Sequence, residues 1–371
     1  MKILHIGNIK SGIDTYVRNT IAFASNEFEF VVVNGKDDKS ESYFRYGNKV
    51  NQYTIDMYRS LNPFRDIKAI FQAVRIIKKE NPDLIHCHSA KGGVIGRIAS
   101  FITNKKVVYT AHAFSFLSAN KKIKYYIYIL FERITRLNSY FLACSQSEQM
   151  LGINKVGYRA SKTYYWNNAI KKIVDSDVVE PDDHIKNQEY IISIGRPSYQ
   201  KNPLLMVEIM RKVHEKYPNV KFYLLGVGFY SPMLGKMKTL VHKYGLDDII
   251  ILLPWLSHKE TIGYLKYAQL YLTTSLYEGL PIAVLEALAM KKAIVSSDVL
   301  GNCDCVWDNK NGYLLKLERD QFVDKIGYLL THKDILNKMS ENSYSIFESR
   351  FNIENRICEL EQIYKYIFGD S

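Results

Sequence analysis

Twice along this chain, short apolar, β-prone runs alternate with stretches of helical apolar spacing. That alternation restricts the fold more than any other feature. In the first half, strands are predicted at Lys2–Ile6, Phe28–Val33, Leu84–Cys87, Lys106–Thr110 and Tyr140–Cys144. Helices are predicted between them at Tyr16–Ala24, Ile67–Glu80, Gly93–Phe101 and Tyr125–Leu137. Such alternation implies a parallel sheet with helices on both faces. A polar, acidic segment from Asn167 to Glu189 breaks the rhythm. It then resumes, with predicted strands at Tyr190–Ile194, Lys221–Leu225, Ile249–Leu252, Gln269–Thr273 and Ala293–Ser296. The predicted helices there are Pro203–Glu215, Pro232–Tyr244, Lys259–Tyr267 and Pro281–Met290. The expected class is α/β, with two doubly wound, Rossmann-like domains in tandem. The expected boundaries are 1–170, a linker over 171–189, and a second domain over 190–352. Residues 353–371 carry a last amphipathic helix, whose spacing fits a return to the first domain and packing on the second equally well.

Composition narrows the classes. The 371 residues are 47% hydrophobic and 24% charged, enough for substantial cores. No run approaches the roughly 20 apolar residues that cross a bilayer. The start, Met1-Lys2-Ile3-Leu4-His5-Ile6-Gly7, reads as a first strand and not as a signal peptide. Five scattered cysteines, Cys87, Cys144, Cys303, Cys305 and Cys358, favour a reducing cytoplasm over a disulfide framework. The net charge of +12 is lopsided: residues 1–170 carry 25 Lys and Arg against 12 Asp and Glu, and the rest is near neutral. A basic half suits an anionic membrane, an anionic substrate or nucleic acid. A nucleic-acid reading lacks any recognition-helix or aromatic RNA-binding signature.

In doubly wound sheets, ligands bind beyond the carboxyl ends of the strands, so the loops there carry the candidates. The most informative is Ser275-Leu276-Tyr277-Glu278-Gly279-Leu280-Pro281, running into the helical stretch Val284 to Met290 with Glu286 inside an apolar run. Pro281 suits a first helical turn and Gly279 a sharp bend before it. After the first strand of the second domain come Arg196, Lys201 and Asn202-Pro203, the last two expected as N-cap and N1 of a helix. Two cations converging on a helix N-terminus suit a diphosphate. The loop Leu225-Gly226-Val227-Gly228-Phe229 offers close-approach glycines for a base or ribose. In the first domain, Gly12 precedes a helix without a dinucleotide-binding G-x-G-x-x-G. His86-Cys87-His88-Ser89-Ala90-Lys91-Gly92-Gly93 resembles a small anion loop around Ser89 and Lys91. Its H-x-H pair lacks a further ligand, so no metal site is expected. His112 lies just past a strand end, where it would donate to a sugar hydroxyl or serve as a structural loop histidine. Asp175-Ser176-Asp177 has D-x-D spacing but sits in the acidic segment, and Cys303-Asp304-Cys305 has no partner pair.

With these loops in order, the chain resembles the retaining glycosyltransferases of family 4, which have the GT-B fold of two Rossmann-like domains facing across a cleft. The resemblance rests on E-x7-E at Glu278 and Glu286, the Arg196…Lys201 pair, Gly12 and His112. The H-x-H-S-x-K-x-G and T-x-H-x-F-x-F loops resemble a branch that builds bacterial capsule, exopolysaccharide or O-antigen. Two positions depart from the pattern: Ser11-Gly12 replaces paired glycines, and Pro197 stands where Leu or Phe is common. The resemblance implies that Arg196 and Lys201 hold the diphosphate of a nucleotide-sugar such as a UDP- or GDP-sugar. It implies that Glu286 binds the ribose, and that Glu278, with Gly279, Leu280 and Pro281, orients the sugar. It further implies that Gly226 and Gly228 line the nucleotide pocket and that His112 contacts the sugar near the reacting carbon. The implied reaction is metal-independent, cofactor-free, retaining hexosyl transfer to a glycan or polyprenyl-diphosphate-linked acceptor. The alternative enzyme reading is a nucleotide-sugar epimerase or another GT-B enzyme. Lys121, Lys122 and Lys124, leading into Tyr125–Phe131, suggest docking on anionic lipid from the cytoplasmic face. A helix buried against the sheet with a lysine-rich start fits the same residues.

Overall fold

A computed structural model describes residues 1–37, 41–58, 60, 62–228 and 231–369. Phe229 of the glycine loop lies outside the described residues. Contacts divide the chain into two compact units: Met1–Lys171 with Asn352–Ser371, and Lys172–Phe351.

The first unit runs β1 (Lys2–Gly7), α1 (Gly12–Phe23), β2 (Glu29–Gly35), a small hairpin of β3 (Phe44–Arg45) and β4 (Asn48–Lys49), then β5 (Asn51–Ile55) and α2 (Pro63–Glu80). It continues with β6 (Leu84–His88), α3 (Ser89–Thr103), β7 (Lys106–Thr110), α4 (Lys122–Thr135), β8 (Tyr140–Ala143), α5 (Gln146–Leu151) and β9 (Thr163–Tyr165). Seven strands form one sheet in the order β5-β2-β1-β6-β7-β8-β9, and every pairing is parallel. The pleat sorts the side chains. Leu4 and Ile6 of β1 enter the core with Ala73, Ile77 and Ile95 of α2 and α3. Ile3, one residue off, faces Tyr16, Val17 and Ile21 of α1.

The second unit holds α6 (Asp183–Lys186), β10 (Tyr190–Ile194), α7 (Pro203–Lys216), β11 (Lys221–Val227), α8 (Leu234–Lys243), β12 (Ile250–Pro254) and α9 (His258–Tyr267). It then has β13 (Leu270–Thr273), α10 (Ile282–Ala289), β14 (Ala293–Ser297), β15 (Gly312–Leu315), α11 (Arg319–Thr331) and α12 (Lys333–Arg350). Its sheet is β12-β11-β10-β13-β14-β15, again parallel throughout. The acidic segment after residue 171 is fastened along α9. Val179 N–H donates to the Lys259 carbonyl (3.0 Å), Lys259 Nζ to the Ser176 carbonyl (2.7 Å), and Lys266 pairs with Glu180 (2.8 Å). Asp175–Asp177 is a 3-10 turn within that strap.

The final helix, α13 (Ile353–Gly369), belongs to the first unit. Its Ile353, Leu360, Tyr364 and Ile367 share a core with Ile3, Tyr16 and Phe30. Trp166 Nε1 donates to the Arg356 carbonyl (3.0 Å). In both sheets the strand sequence reverses direction next to the first strand, between β1 and β6 and between β10 and β13. Chain crossovers diverge at those two points and leave a crevice at the strand ends.

Candidate active site

In the second unit the crevice between β10 and β13 is closed by an ion pair. Lys201 comes from the loop after β10 and Glu278 from the loop after β13, and Lys201 Nζ meets Glu278 Oε1 at 2.7 Å. Glu278 is buried, 8% exposed. It also accepts from Ser275 Oγ (2.7 Å) and Gln200 Nε2 (3.0 Å). The two loops are laced by backbone as well: Leu276 N–H donates to the Gln200 carbonyl (2.8 Å), and Thr274 Oγ1 to the Asn202 carbonyl (3.0 Å). Gly195, at φ 143°, makes room for the Lys201 stem, since a Cβ there would lie 3.2 Å from Lys201 Cε. Arg196 stands half-buried two residues beyond β10.

Two helices begin at this crevice without side-chain caps. Asn202 precedes α7 in a left-handed conformation (φ 49°, ψ 56°), and its side chain makes no cap bond, contrary to the expected N-cap role. Pro281 is the uncapped residue before α10 and not its first-turn residue, so α10 starts at Ile282. By contrast α9 carries a full capping box of Ser257 and Glu260. Uncapped first-turn N–H groups are available to an anion. The chain bends at Gly279 and Leu280 as expected, without a positive φ at Gly279; the positive φ beside this loop belongs to Gly301 (83°), where a Cβ would sit 2.6 Å from the Gly279 carbonyl oxygen. Gly301 thus lets the backbone of the 297–305 segment lie directly against the Glu278–Gly279–Leu280 loop.

Glu286 lies on α10, 8% exposed. His258, the first residue of α9, reaches its Oε1 through Nε2 at 2.9 Å. Sequence reasoning did not single out His258, whose only signal is its place just after a strand end. Gly226 adopts φ 94° against the Gly195 backbone. A Cβ on Gly228 would run into the exposed Trp255 indole.

In the first unit the turn after β1 takes its positive φ at Ser11 (50°), not at Gly12, which is the first residue of α1. No loop separates β6 from α3: the helix opens at Ser89, whose left-handed φ of 60° makes the turn. The expected anion loop is therefore corrected on two counts. Lys91 Nζ is bound to Asp66 (2.6 Å) and to the Ser60 carbonyl (3.0 Å). Gly92 and Gly93 lie inside α3, where a Cβ would strike Gly7 and the Tyr109 ring. Their role is close packing of helix on sheet.

The histidines are the larger correction. The H-x-H pair is joined by two more. His5 of β1 is register partner of His86 on the same face, and His112 follows β7. His88 Nδ1 meets His112 Nε2 at 3.0 Å, and His88 Nε2 meets His5 Nδ1 at 2.9 Å. His86 bonds Tyr364 Oη (2.7 Å) and Thr110 Oγ1 (2.8 Å). The donor nitrogens of His5, His86 and His88 lie within 4.8 Å of one another. His5 Nδ1 and both nitrogens of His86 and His88 have partners, whereas His5 Nε2 has none, and His5 supplies the further ligand that the H-x-H pair was expected to lack. Burial lowers His5 and His112 to about 3 and keeps both neutral. His112 and Ala113 hold φ of 52° and 77°, with Ala113 N–H fixed by Glu148 (2.7 Å).

Lys121, Lys122 and Lys124 are exposed at the start of α4. No helix among the described residues is long and apolar enough to cross a membrane.

Residues 10–172 match the family model "Glycosyltransferase Family 4", and residues 178–346 match "Glycosyl transferases group 1". The chain is 27% identical over 322 residues to the UDP-Gal:alpha-D-GlcNAc-diphosphoundecaprenol alpha-1,3-galactosyltransferase of Escherichia coli, spanning 82% of this chain and 81% of that one. It is 22% identical over 386 residues to the capsular polysaccharide biosynthesis glycosyltransferase CapM of Staphylococcus aureus, spanning 100% and 98%. Among solved structures, sucrose-phosphate synthase from Thermosynechococcus elongatus shares the fold at a TM-score of 0.85 and 15% identity, over 100% of both chains. One family model falls on each unit, and each unit is a doubly wound parallel sheet: the chain belongs to the family 4 glycosyltransferases with the GT-B fold.

Proposed function

We propose that this glycosyltransferase moves a hexose from a nucleoside-diphosphate sugar, a UDP-sugar first among them, onto a polyprenyl-diphosphate-linked or oligosaccharide acceptor. The product would be a bacterial surface polysaccharide. The observation that carries the donor reading is the Lys201–Glu278 pair across the β10–β13 crevice, beside two uncapped helix starts. The E. coli relative's name joins UDP-Gal to a diphosphoundecaprenol-linked acceptor, and the CapM name points to capsule.

The chemistry follows from the charges. Cleaving a glycosyl–phosphate bond leaves positive charge on the sugar and negative charge on the departing diphosphate. Lys201, Arg196 and the first turns of α7 and α10 stabilise that leaving group electrostatically. In this scheme no divalent metal is needed. Lys201 is held by Glu278 until the diphosphate arrives, and Glu278 is then released to accept from sugar hydroxyls. Glu286, steadied by His258, accepts from the ribose, and Gly226 and Gly228 admit the base and ribose closely. His112 donates to a sugar hydroxyl. Retention of the anomeric configuration belongs to the same proposal.

A thermal-shift screen against UDP-, GDP-, ADP- and dTDP-sugars tests the reading. At a hundredfold excess over Kd, the true donor should raise Tm by about 5–10 °C, with or without EDTA. Glu286→Ala should lose that shift at unchanged starting Tm. No shift with any nucleotide-sugar, or wild-type transfer by Glu286→Ala, overturns the assignment.

A further inference from the structure

Three imidazoles stand in single file across three neighbouring strands. His5 on β1 is bonded to His88 on β6, and His88 to His112 beyond β7. His5 and His88 are fully buried, while His112 is half-buried at the carboxyl edge of the sheet. His86 lies alongside, its ring centroid 4.1 Å from that of His88, but both its nitrogens are occupied by Tyr364 and Thr110. It takes no part in the file.

Counting protons fixes the direction of the file. A neutral imidazole has one N–H and one lone pair. His88 uses both nitrogens, so it donates at one and accepts at the other. Only two orders remain. In the outward order His5 Nδ1–H donates to His88 Nε2, His88 Nδ1–H donates to His112 Nε2, and the last proton sits on His112 Nδ1. In the inward order every bond reverses, and the spare proton sits on His5 Nε2. That atom is buried and has no partner. The inward order therefore buries an N–H with no acceptor, whereas the outward order leaves only an unfilled lone pair. Orphaned buried N–H groups are the rarer of the two. Burial keeps His5 and His112 neutral at any working pH, each lowered to about 3.

We propose that His5 and His88 are positioning residues that lock His112 in its Nδ1–H form, presenting a fixed hydrogen-bond donor at the edge of the sheet. In this form His112 cannot act as a base, because its lone pair on Nε2 is taken by His88. It donates to a sugar hydroxyl or glycosyl oxygen, and in that use the inference rests on the reading of His112 as a sugar contact. The backbone supports such a task. His112 and Ala113 are held at positive φ, the kind of strain that persists where surrounding structure enforces it.

Long-range 1H–15N correlation spectra of the 15N-histidine-labelled protein test the tautomer without donor or acceptor, so that arm stands whatever the substrate proves to be. His112 is expected with Nδ1 protonated and Nε2 bare, its signals assigned by loss in His112→Gln. A protonated Nε2 overturns the proposal. A second arm compares His88→Gln, which can still donate and accept, with His88→Leu, which cannot. With a nucleotide-sugar and acceptor, Leu should lower kcat roughly tenfold at little-changed KM, about the worth of one hydrogen bond, and Gln should restore most of the loss. Equal kcat in the two variants overturns the positioning role. If His88→Leu fails to fold, His88→Phe removes both ring nitrogens at similar ring size. It should leave His112 as a mixture of tautomers in the same spectra, and a single unchanged tautomer overturns the proposal.

Discussion

Lys201 and Glu278 stand 77 positions apart in sequence, yet each is the other's nearest opposite charge, at 2.7 Å. The pair gives a separable prediction. Lys201→Met keeps the stem against Gly195 and removes only the charge. Glu278 retains Ser275 and Gln200 as donors, so the stability loss should be modest, about 1–2 kcal/mol in urea unfolding. Affinity for a nucleotide-sugar should fall at least roughly tenfold, as a charge-assisted contact to phosphate is lost. Undiminished affinity by calorimetry would remove Lys201 from the site. Much of this was legible in sequence, because Arg196, Lys201 and Glu278 lie in loops that follow strands and Glu286 on the helix after such a loop, and a parallel sheet gathers such positions. The pairing itself was not, nor the bond from His258 to Glu286, nor the close approach at Gly301. These depend on which strands are neighbours, and β10 lies beside β13, not β14. His5 was hidden for the same reason: only the β1–β6 register turns a lone strand histidine into a member of a file.

Among elements, α4 shows most clearly what local pattern can and cannot say. Its inner face is pinned by a buried group. Arg97 of α3 donates to Glu132 (3.1 Å), Thr135 (3.1 Å) and Tyr158 (3.0 Å), while Ile129 enters the core. Burial disfavours the Arg97 charge, but Tyr158 and Glu132 outweigh it and hold the guanidinium protonated. With Glu132 and Ile129 turned in, the opposite stripe must face out. Ile123, Tyr126, Ile127, Leu130, Phe131 and Ile134 are each more than half exposed, next to Lys121, Lys122 and Lys124. The sequence left two options for this helix, buried start or lipid contact. Exposed apolar area rimmed by lysines favours the second. We expect the protein to float with vesicles containing anionic lipid. Ile127→Ser with Leu130→Ser should abolish flotation even at low salt, and Glu at Lys121, Lys122 and Lys124 should make it salt-independent and weak. Flotation unchanged in both variants would refute lipid docking by α4. Sequence reasoning missed the hairpin strands β3 and β4 and the edge strands β5, β9 and β15; β5 is polar, half-exposed Asn51-Gln52-Tyr53-Thr54-Ile55, so burial did not impose an apolar run there.

At the scale of the whole molecule, the two units differ in how the chain builds them. The second is continuous, Lys172–Phe351, with its own core. The first is split, since the chain leaves it after Lys171 and returns with α13. Amphipathic spacing alone could not choose between the two units for this helix, because it marks an apolar face and not what covers that face. The choice lies in specific partners: Trp166 Nε1 on the Arg356 carbonyl, Ser25 N–H on Glu361 (2.5 Å), and Tyr364 on His86. Ending the chain at residue 351 should therefore damage one unit and spare the other. It would uncover the cavity filled by Ile353, Leu360, Tyr364 and Ile367, each at most 1% exposed. At about 1.5–3 kcal/mol per buried side chain, the loss is roughly 6–12 kcal/mol, comparable to the whole stability of a domain. The first unit should lose its fixed packing, seen as dye-binding apolar surface and a collapse of near-UV circular dichroism from its aromatic cluster. The second should keep a cooperative thermal transition that still rises with the donor nucleotide-sugar. If the shortened chain instead melts as the full chain does, α13 is not part of the first unit's core. If the donor no longer raises the remaining transition, the donor site is not contained in residues 172–351.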